Sequence, residues 1–283
     1  MSNSRNIVSN GIAVILALAA LGIGGRAEAA DYLRGAYAGE RTPASAGVDW
    51  AGVYGGVHVG ISVGQSDPRA MASSLARSAL PNTIITDAVA GMIAFKETNK
   101  SGMSYGGFAG MNWLWEDVVL GVEVDYTRSD INSAASSTQA RTFRPTASTD
   151  EYDIVTNASS RAKLNDWGTF RGRIGYAAGM FMPYLTAGIA VGNLDSRATT
   201  SGTWTRYDVS APPVRTFVSN GSFSGMIGRR GVTYGSAFGA GVDMQLMPGT
   251  FLRAELQHVQ FASGGKRPDI SINTARVGGG VKF

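Results

Sequence analysis

Residues 53–64 read VYGGVHVGISVG, and the alternation in this stretch decides the fold. Its odd positions carry mostly β-branched residues, whereas its even positions are largely small or polar, as at His58, Gly60 and Ser62. A period of two residues places alternate side chains on opposite faces of a β-strand. The stretch therefore predicts a strand with one apolar face and one small or polar face.

The same stretch contains Gly60-Ile-Ser62-Val-Gly64, which matches the G-x-S-x-G turn around the nucleophile of serine hydrolases. That turn requires a strand, a sharp bend and then a helix, but here the alternation continues straight through Ser62. His58 and Ser62 would lie about 13 Å apart along the strand, too far for a hydrogen bond. We therefore predict no catalytic residues. The enzymatic alternative is a barrel acting on lipid through His58, Ser62 and an acid such as Asp125.

The composition excludes several other kinds of site. The chain has 283 residues, no cysteine, two histidines and a net charge of +4. Disulfides and thiolate metal sites are excluded, and two histidines offer little for a histidine-based metal site. The small net charge, without a basic run, does not favour nucleic acid. We expect no cofactor, no metal site and no nucleic-acid partner.

The N-terminus has the pattern of a secretory signal. Arg5 supplies a positive start, residues 12–21 are apolar, and Ala27 and Ala29 are small residues suited to a cleavage site. We predict a signal peptide at 1–29, a flexible periplasmic tail at 30–49 and a barrel at 50–283. The alternative for the first segment is a short membrane anchor. No later segment approaches 18 continuous apolar residues, so no membrane helix is expected.

Seven further segments repeat the alternation, which gives eight predicted strands. Apart from the six-residue segment 252–257, each spans the roughly 9–11 residues with which a strand crosses a bilayer. In the fourth strand, the apolar face is predicted to carry Leu164, Phe170, Ile174 and Tyr176. The seven segments lie at 103–115, 118–127, 164–176, 184–192, 232–245, 252–257 and 274–283.

The connections between these strands alternate between short and long. Tight turns are predicted at 116–117, 178–179 and 247–249, and the other connections lie at 65–101, 128–162, 195–231 and 262–270. This alternation is typical of outer-membrane barrels, which have short periplasmic turns and long external loops. The predicted fold is all-β, an eight-stranded antiparallel transmembrane β-barrel with three long extracellular loops. A soluble exported β-protein is the alternative architecture.

The long connections are rich in Ser, Thr and Ala, for example at 133–138 and 198–202, and are predicted to be flexible and exposed. Their arginines are predicted to be solvated or to contact anionic lipid or a host surface. These arginines are Arg141, Arg144, Arg206, Arg215, Arg229 and Arg230.

Aromatic residues are predicted to form two girdles, as a bilayer favours at its two interfaces. Trp113, Trp115, Phe181, Phe251 and Phe283 would lie near the short turns, and Tyr105, Tyr126 and Tyr234 near the long loops.

Charged residues fall on the small or polar face of the strands. Buried charges must pair, and an eight-stranded barrel is just wide enough for side chains to fill it. Glu123 and Asp125 stand at heights similar to those of Arg171 and Arg173 on the next strand, so we predict that they pair. The whole network would plug the lumen; the alternative is a narrow porin-like channel for small solutes. The predicted network comprises Glu123, Asp125, Arg171, Arg173, Asp243, Arg253, Glu255, Arg276 and Lys282.

Several short motifs resemble those of the small outer-membrane immunogenic proteins of alphaproteobacteria, an OmpA-like, porin-like barrel family. They are Trp50-x-Gly52-x-Tyr54-x-Gly56-x-x-x-Gly60, Gly110-Met-Asn-Trp113, Leu120-Gly-Val-Glu123, Arg171-Gly-Arg173-Ile-Gly-Tyr176, Pro183-Tyr184, Gly239-Ala-Gly-Val-Asp243, and an ending that runs from Arg276-Val-Gly to Lys282-Phe283. The resemblance implies surface exposure in the bacterial outer membrane and a terminal aromatic, Phe283, read by the outer-membrane assembly machinery. The expected partners are that machinery, outer-membrane lipid and lipopolysaccharide, and a host or surface ligand bound by the loops.

Overall fold

The chain folds as a closed antiparallel barrel in which each strand pairs with its neighbour in sequence and β1 pairs with β8. The computed structural model describes residues 48–67, 71–81, 83–95, 98–146, 148–211, 213–261 and 269–283. The predicted signal peptide and all but residues 48–49 of the predicted tail lie outside these ranges. The elements are β1 (Gly52–Asp67), α1 (Ala72–Ala79), α2 (Thr86–Met92), β2 (Thr98–Trp115), β3 (Val118–Phe143), β4 (Asp150–Tyr176), β5 (Phe181–Asp208), β6 (Thr216–Met247), β7 (Thr250–Phe261) and β8 (Asp269–Lys282). The predicted eight-stranded fold is confirmed.

The strands form because alternate side chains meet two different environments. In β1 the odd positions face outward, and Val57 and Ile61 are 69% and 59% exposed, while Tyr54 and His58 are buried inside. The other strands carry an equally apolar outward face near the short turns. Such a wide exposed apolar surface is unusual on a soluble protein and matches the lipid-facing band of a membrane barrel.

The three predicted short turns all occur and lie at one end of the barrel. Each contains a residue with a positive φ angle: Glu116 at 55°, Gly179 at 62° and Gly249 at 78°. Tight hairpins favour this left-handed backbone because it matches the twist of the flanking strands. The short turns hold β2 to β3, β4 to β5 and β6 to β7.

The predicted long, flexible loops are wrong at 128–162 and 195–231. β3, β4, β5 and β6 continue through both segments as paired strands, and only 144–149 and 209–215 connect them. The Ser- and Thr-rich composition instead reflects an outer strand face in water, with small or apolar residues such as Ile154 and Ala198 on the inner face. Threonine is itself a good strand former.

The predicted outward orientation of Leu164 is also wrong. The register of β4 shifts between Leu164 and Trp167, against both β3 and β5. A β-bulge adds a residue on one strand and so reverses which residues point inward. Leu164 and Trp167 are therefore both buried inside, whereas Phe170, Ile174 and Tyr176 face outward as predicted.

Two helices occupy the connection between β1 and β2, which was predicted to be a loop. The apolar positions Ala72, Leu75 and Ala76 recur at helical spacing in α1, and Val89 and Met92 do so in α2. These faces pack on the inner side of the extended strands, against Tyr152, Ile154, Ala158, Ala198 and Phe223. We call this unit, formed by α1, α2 and the extensions of β3–β6, the outer cap. Among the described residues, no helix is long and apolar enough to cross a membrane.

Candidate functional site: the filled lumen

Eight of the nine predicted network residues meet inside the barrel, and each is at most 5% exposed. Four are acids and four are arginines, so their charges sum to zero. They come from five strands and form one continuous chain of alternating acids and arginines. In order along that chain they are Asp125, Arg276, Glu255, Arg171, Glu123, Arg253, Asp243 and Arg173.

Arg171 lies at the middle of this chain. It stands directly opposite Glu123 in the pairing of β3 with β4. Its guanidinium donates to carboxylate oxygens of both Glu123 and Glu255, and to Thr186 Oγ1 at 3.2 Å. The predicted pairing of Glu123 with Arg171 therefore occurs, with an additional bond across the lumen to β7.

Arg253 and Arg173 bind the end of the chain that lies nearer the short turns. Arg253 donates to Glu123 Oε2 at 2.6 Å and to both oxygens of Asp243 at 2.9 and 3.0 Å. Arg173 Nη2 donates to Asp243 Oδ2, while its distance to Glu123 is 3.8 Å. A guanidinium that forks onto a carboxylate makes one of the stronger and more directional ion pairs in proteins.

Asp125 does not pair with Arg171 or Arg173, and this part of the predicted pairing is wrong. It accepts from Arg276 Nη1 at 2.6 Å and lies 3.2 Å from His58 Nε2. Arg276 also donates to Glu255 Oε1 at 2.9 Å. The stagger of the closed barrel brings β8 to the height of Asp125, and sequence adjacency alone does not show this.

Lys282 lies outside the network, contrary to the prediction. It sits at the short-turn end, where its Nζ is 3.3 Å from Asp49 Oδ2 and donates to the Asp49 carbonyl. The pKa of Asp49 is lowered, chiefly because the Ala51 backbone N–H donates to its carboxylate. This pair ties the start of β1 to the end of β8.

Two tyrosines complete the network, and the sequence reasoning missed both. Tyr54 donates to Glu123 at 2.8 Å, and Tyr184 donates to Glu255 at 2.8 Å. Arg173 lies 3.7 Å from the centre of the Tyr184 ring, a cation–π geometry. Both tyrosines occupy alternate positions that the sequence pattern assigns to the inner face, and this position could have identified them. Glycines on the facing strands leave room for them, since a Cβ at Gly241 would lie 2.5 Å from Tyr184 Oη.

An apolar layer closes the lumen on the short-turn side of the ion pairs. Phe108, a bulky apolar residue on the inner face of β2, packs beneath Arg253, whose guanidinium carbon lies 4.0 Å from the centre of the Phe108 ring. Trp50 folds under the barrel and donates from its indole N–H to the Gly179 carbonyl at 3.2 Å. The layer consists of Trp50, Tyr54, Phe108, Val119, Met182 and Phe251.

A second apolar layer fills the lumen on the other side of the ion pairs. The sequence reasoning missed it because the inner face was expected to be small or polar throughout. Its bulky members include Trp167, brought inside by the bulge, and Phe261. The layer consists of Ile131, Ala162, Leu164, Trp167, Ala190, Leu194, Ala237, Val259, Phe261, Ile270 and Ile272.

The proposed catalytic group does not assemble. His58 contacts Asp125, but Ser62 Oγ is bonded to Thr274 Oγ1 at 2.8 Å. Ser62 is 0% exposed and His58 is 2% exposed, so neither can reach a substrate outside the barrel. Among the described residues, no group of His, Asp and Glu could hold a metal ion.

Several crystal structures resemble the barrel at low sequence identity. Neisserial surface protein A is 12% identical with a TM-score of 0.36, covering 82% of this chain and 98% of its own. OprG from Pseudomonas aeruginosa is 13% identical with a TM-score of 0.34, covering 82% and 96%. The outer membrane protease OmpT from Escherichia coli is 8% identical with a TM-score of 0.29, covering 82% and 97%. No curated protein sequence matches the chain.

The match to a protein-family model covers more of the chain than these structural matches do. The family model described as the outer membrane protein beta-barrel domain matches residues 15–283. That match spans nearly the whole sequence and agrees with the closed ring of eight strands, the exposed apolar belt and the filled interior. The chain therefore belongs to the outer-membrane β-barrel protein family.

Proposed function

We propose that this protein is a non-enzymatic outer-membrane barrel whose plugged lumen contributes to envelope structure and whose outer cap serves surface interaction. The observation that carries the proposal is the filling of the lumen at three successive levels. An apolar layer, the neutral ion-pair network and a second apolar layer follow one another along the axis. Water and ions would have to cross all three.

The network suits a structural role because it links strands that are far apart in sequence. Its charged residues belong to β3, β4, β6, β7 and β8, and Tyr54 and Tyr184 add β1 and β5. Buried ion pairs give little net stability compared with an apolar core, but removing a single partner is strongly destabilising. The arrangement therefore favours one register of the closed barrel over alternatives.

The route to the membrane is part of the proposal. Residues 1–29 act as a cleaved signal peptide, and Phe283 is read by the outer-membrane assembly machinery. The resemblance to the small immunogenic outer-membrane proteins of alphaproteobacteria supports a role at the cell surface. The solvent-facing outer strands of the cap would meet a host or surface ligand, and the barrel wall would meet outer-membrane lipid and lipopolysaccharide.

Single-channel conductance tests the plugged lumen. Residues 30–283 would be refolded into planar bilayers, with folding checked by the altered gel mobility of the unheated protein. We expect no reproducible current steps from the folded barrel. Regular steps that change size when Arg171 and Glu123 are both neutralised would overturn the proposal in favour of a narrow channel.

The enzymatic alternative has its own test. Lipase and acyltransferase activity of the folded protein would be compared with that of a His58→Ala variant. We expect the same background rate from both. An activity that is present in the wild type and lost in the folded variant would show that the barrel is an enzyme.

A further inference from the structure

A cluster of basic side chains lies on the outer face of the barrel wall where the extended strands begin. It consists of Arg161 and Lys163 on β4, Arg197 on β5 and Arg230 on β6, all exposed. We call these four residues the basic cluster. In the strand register Arg161 stands directly opposite Arg197. Asp195 stands opposite Lys163 on one side and Arg230 on the other. The patch therefore holds four cations and one carboxylate.

The basic cluster starts where the apolar belt ends. Tyr234 and Val232 are the last large apolar residues on the outer face of β6 before Arg230, and both are more than half exposed. Arg230 precedes Val232 by two residues and so lies about 7 Å farther from the short turns along β6. The polar headgroups of a bilayer occupy the layer directly outside its hydrocarbon core. The cations therefore begin at headgroup depth.

The four cations form no ion pair with the part of the chain that the structure describes. Among the residues that the structure describes, no carboxylate oxygen lies within 4.0 Å of the side-chain nitrogens of the cluster. This contrasts with Arg206 and Arg215 farther out on the same sheet, which pair with Asp150 and with Glu151 and Asp153. An arginine that serves only to keep the surface soluble can be paired with a neighbouring carboxylate, as Arg206 and Arg215 are.

Arg161 and Arg197 bring two positive charges directly opposite each other on β4 and β5. Like charges directly opposite each other on neighbouring strands are destabilising. An anion held between the two guanidiniums converts this repulsion into two favourable contacts. Guanidinium groups match the geometry of phosphate oxygens and can bind them through paired hydrogen bonds. Arg197 stands opposite Gly228, four residues from Val232 or about 13 Å along the strand, so a phosphate held by the pair would lie just outside the belt edge.

We propose that the basic cluster binds the phosphate groups of a glycolipid headgroup in the outer leaflet. This inference rests on the proposed placement of the barrel in the outer membrane. Arg161 and Arg197 bind one phosphate between them, and Lys163 and Arg230 flank it. A lipid held there anchors the protein at the height where the wall passes from lipid to water.

The test compares a phosphorylated lipid with its phosphate-free form. The refolded protein in nanodiscs would be titrated with bisphosphorylated lipid A or with dephosphorylated lipid A, and bound lipid would be counted by native mass spectrometry. We expect a preference for the phosphorylated form. An R161Q/R197Q double variant should bind it about 30-fold more weakly, because each cation near an anionic surface contributes about 1 kcal/mol.

A control variant and a competing ligand show which results would contradict the proposal. An R77Q/R141Q variant removes two exposed arginines away from the basic cluster and should retain the preference. Inorganic phosphate at equal concentration should not displace the lipid. The proposal is overturned if R161Q/R197Q keeps the preference, if R77Q/R141Q loses it equally, if free phosphate displaces the lipid, or if neither form of lipid A is preferred.

The conductance experiment is independent of this result. A barrel that conducts ions yet prefers phosphorylated lipid would overturn the plugged lumen and leave the lipid site standing. A silent barrel without a phosphate preference would overturn only the lipid site.

Discussion

Replacing Arg171 by methionine should destabilise the barrel more than any exposed arginine can. Arg171 is 0% exposed and bonds Glu123 and Glu255 at once. The variant leaves four buried carboxylates against three arginines, so one negative charge in the buried network is uncompensated. Removing one partner of a buried ion pair costs about 3–5 kcal/mol.

This loss can be measured by urea unfolding of the protein in lipid vesicles. Tryptophan fluorescence and the gel mobility of unheated samples would report the folded fraction. With a urea dependence of about 2 kcal/mol per molar, a loss of about 4 kcal/mol lowers the midpoint by about 2 M. The control is Arg141→Met, the same chemical change at an exposed site on β3, which should shift the free energy of unfolding by no more than about 0.5 kcal/mol.

A second variant separates charge balance from lost packing. Arg171→Met combined with Glu255→Gln leaves three carboxylates facing three arginines and should regain part of the lost stability. The reasoning is refuted if Arg171→Met falls within 1 kcal/mol of Arg141→Met, a threshold of about one hydrogen bond. It is also refuted if the double variant is less stable than Arg171→Met alone.

Three further predictions concern other parts of the fold. Leu75→Asp places a charge in the apolar core of the outer cap, and limited proteolysis should then cut between β1 and β2 while the barrel keeps its folded gel mobility; a resistant variant would contradict this packing. Gly239→Ala puts a Cβ 2.5 Å from Thr186 Oγ1 beside Arg171 and should lower the urea midpoint, whereas Gly91→Ala, with open space around it, should not. The lowered pKa of Asp49 means that its contribution to stability is present above its unfolded pKa, near 3.8, and is lost as pH falls through the folded value. Asp49→Asn should therefore flatten the acid limb of the pH–stability curve, and an unchanged limb would refute that assignment.

The alternation of apolar and polar residues was sufficient to predict the eight strands within the barrel wall, the face of most of their residues and the closed ring. Residues 53–64 show why, since the same parity that appears in the sequence separates exposed Val57 from buried His58. The three tight turns were also predictable, because their residues interrupt the alternation over only two or three positions. Local sequence reports local backbone geometry and which face a side chain occupies.

Local pattern failed where an element depends on distant partners. The extensions of β3–β6 look like polar loops until the helices of the outer cap cover their inner face. Leu164 keeps the parity of an outward residue until the bulge reverses it. The helices themselves are short, and their apolar spacing becomes decisive only when a sheet is available to bury it.

The sequence by itself determined an eight-stranded barrel with charged residues along its inner face. Only the tertiary structure decided that Asp125 pairs with Arg276 rather than Arg173, that Lys282 pairs with Asp49 outside the network, and that apolar layers lie on both sides of the ion pairs. The physical reason is that parity fixes the face of a residue, whereas contacts across the lumen depend on the tilt and stagger with which all eight strands close.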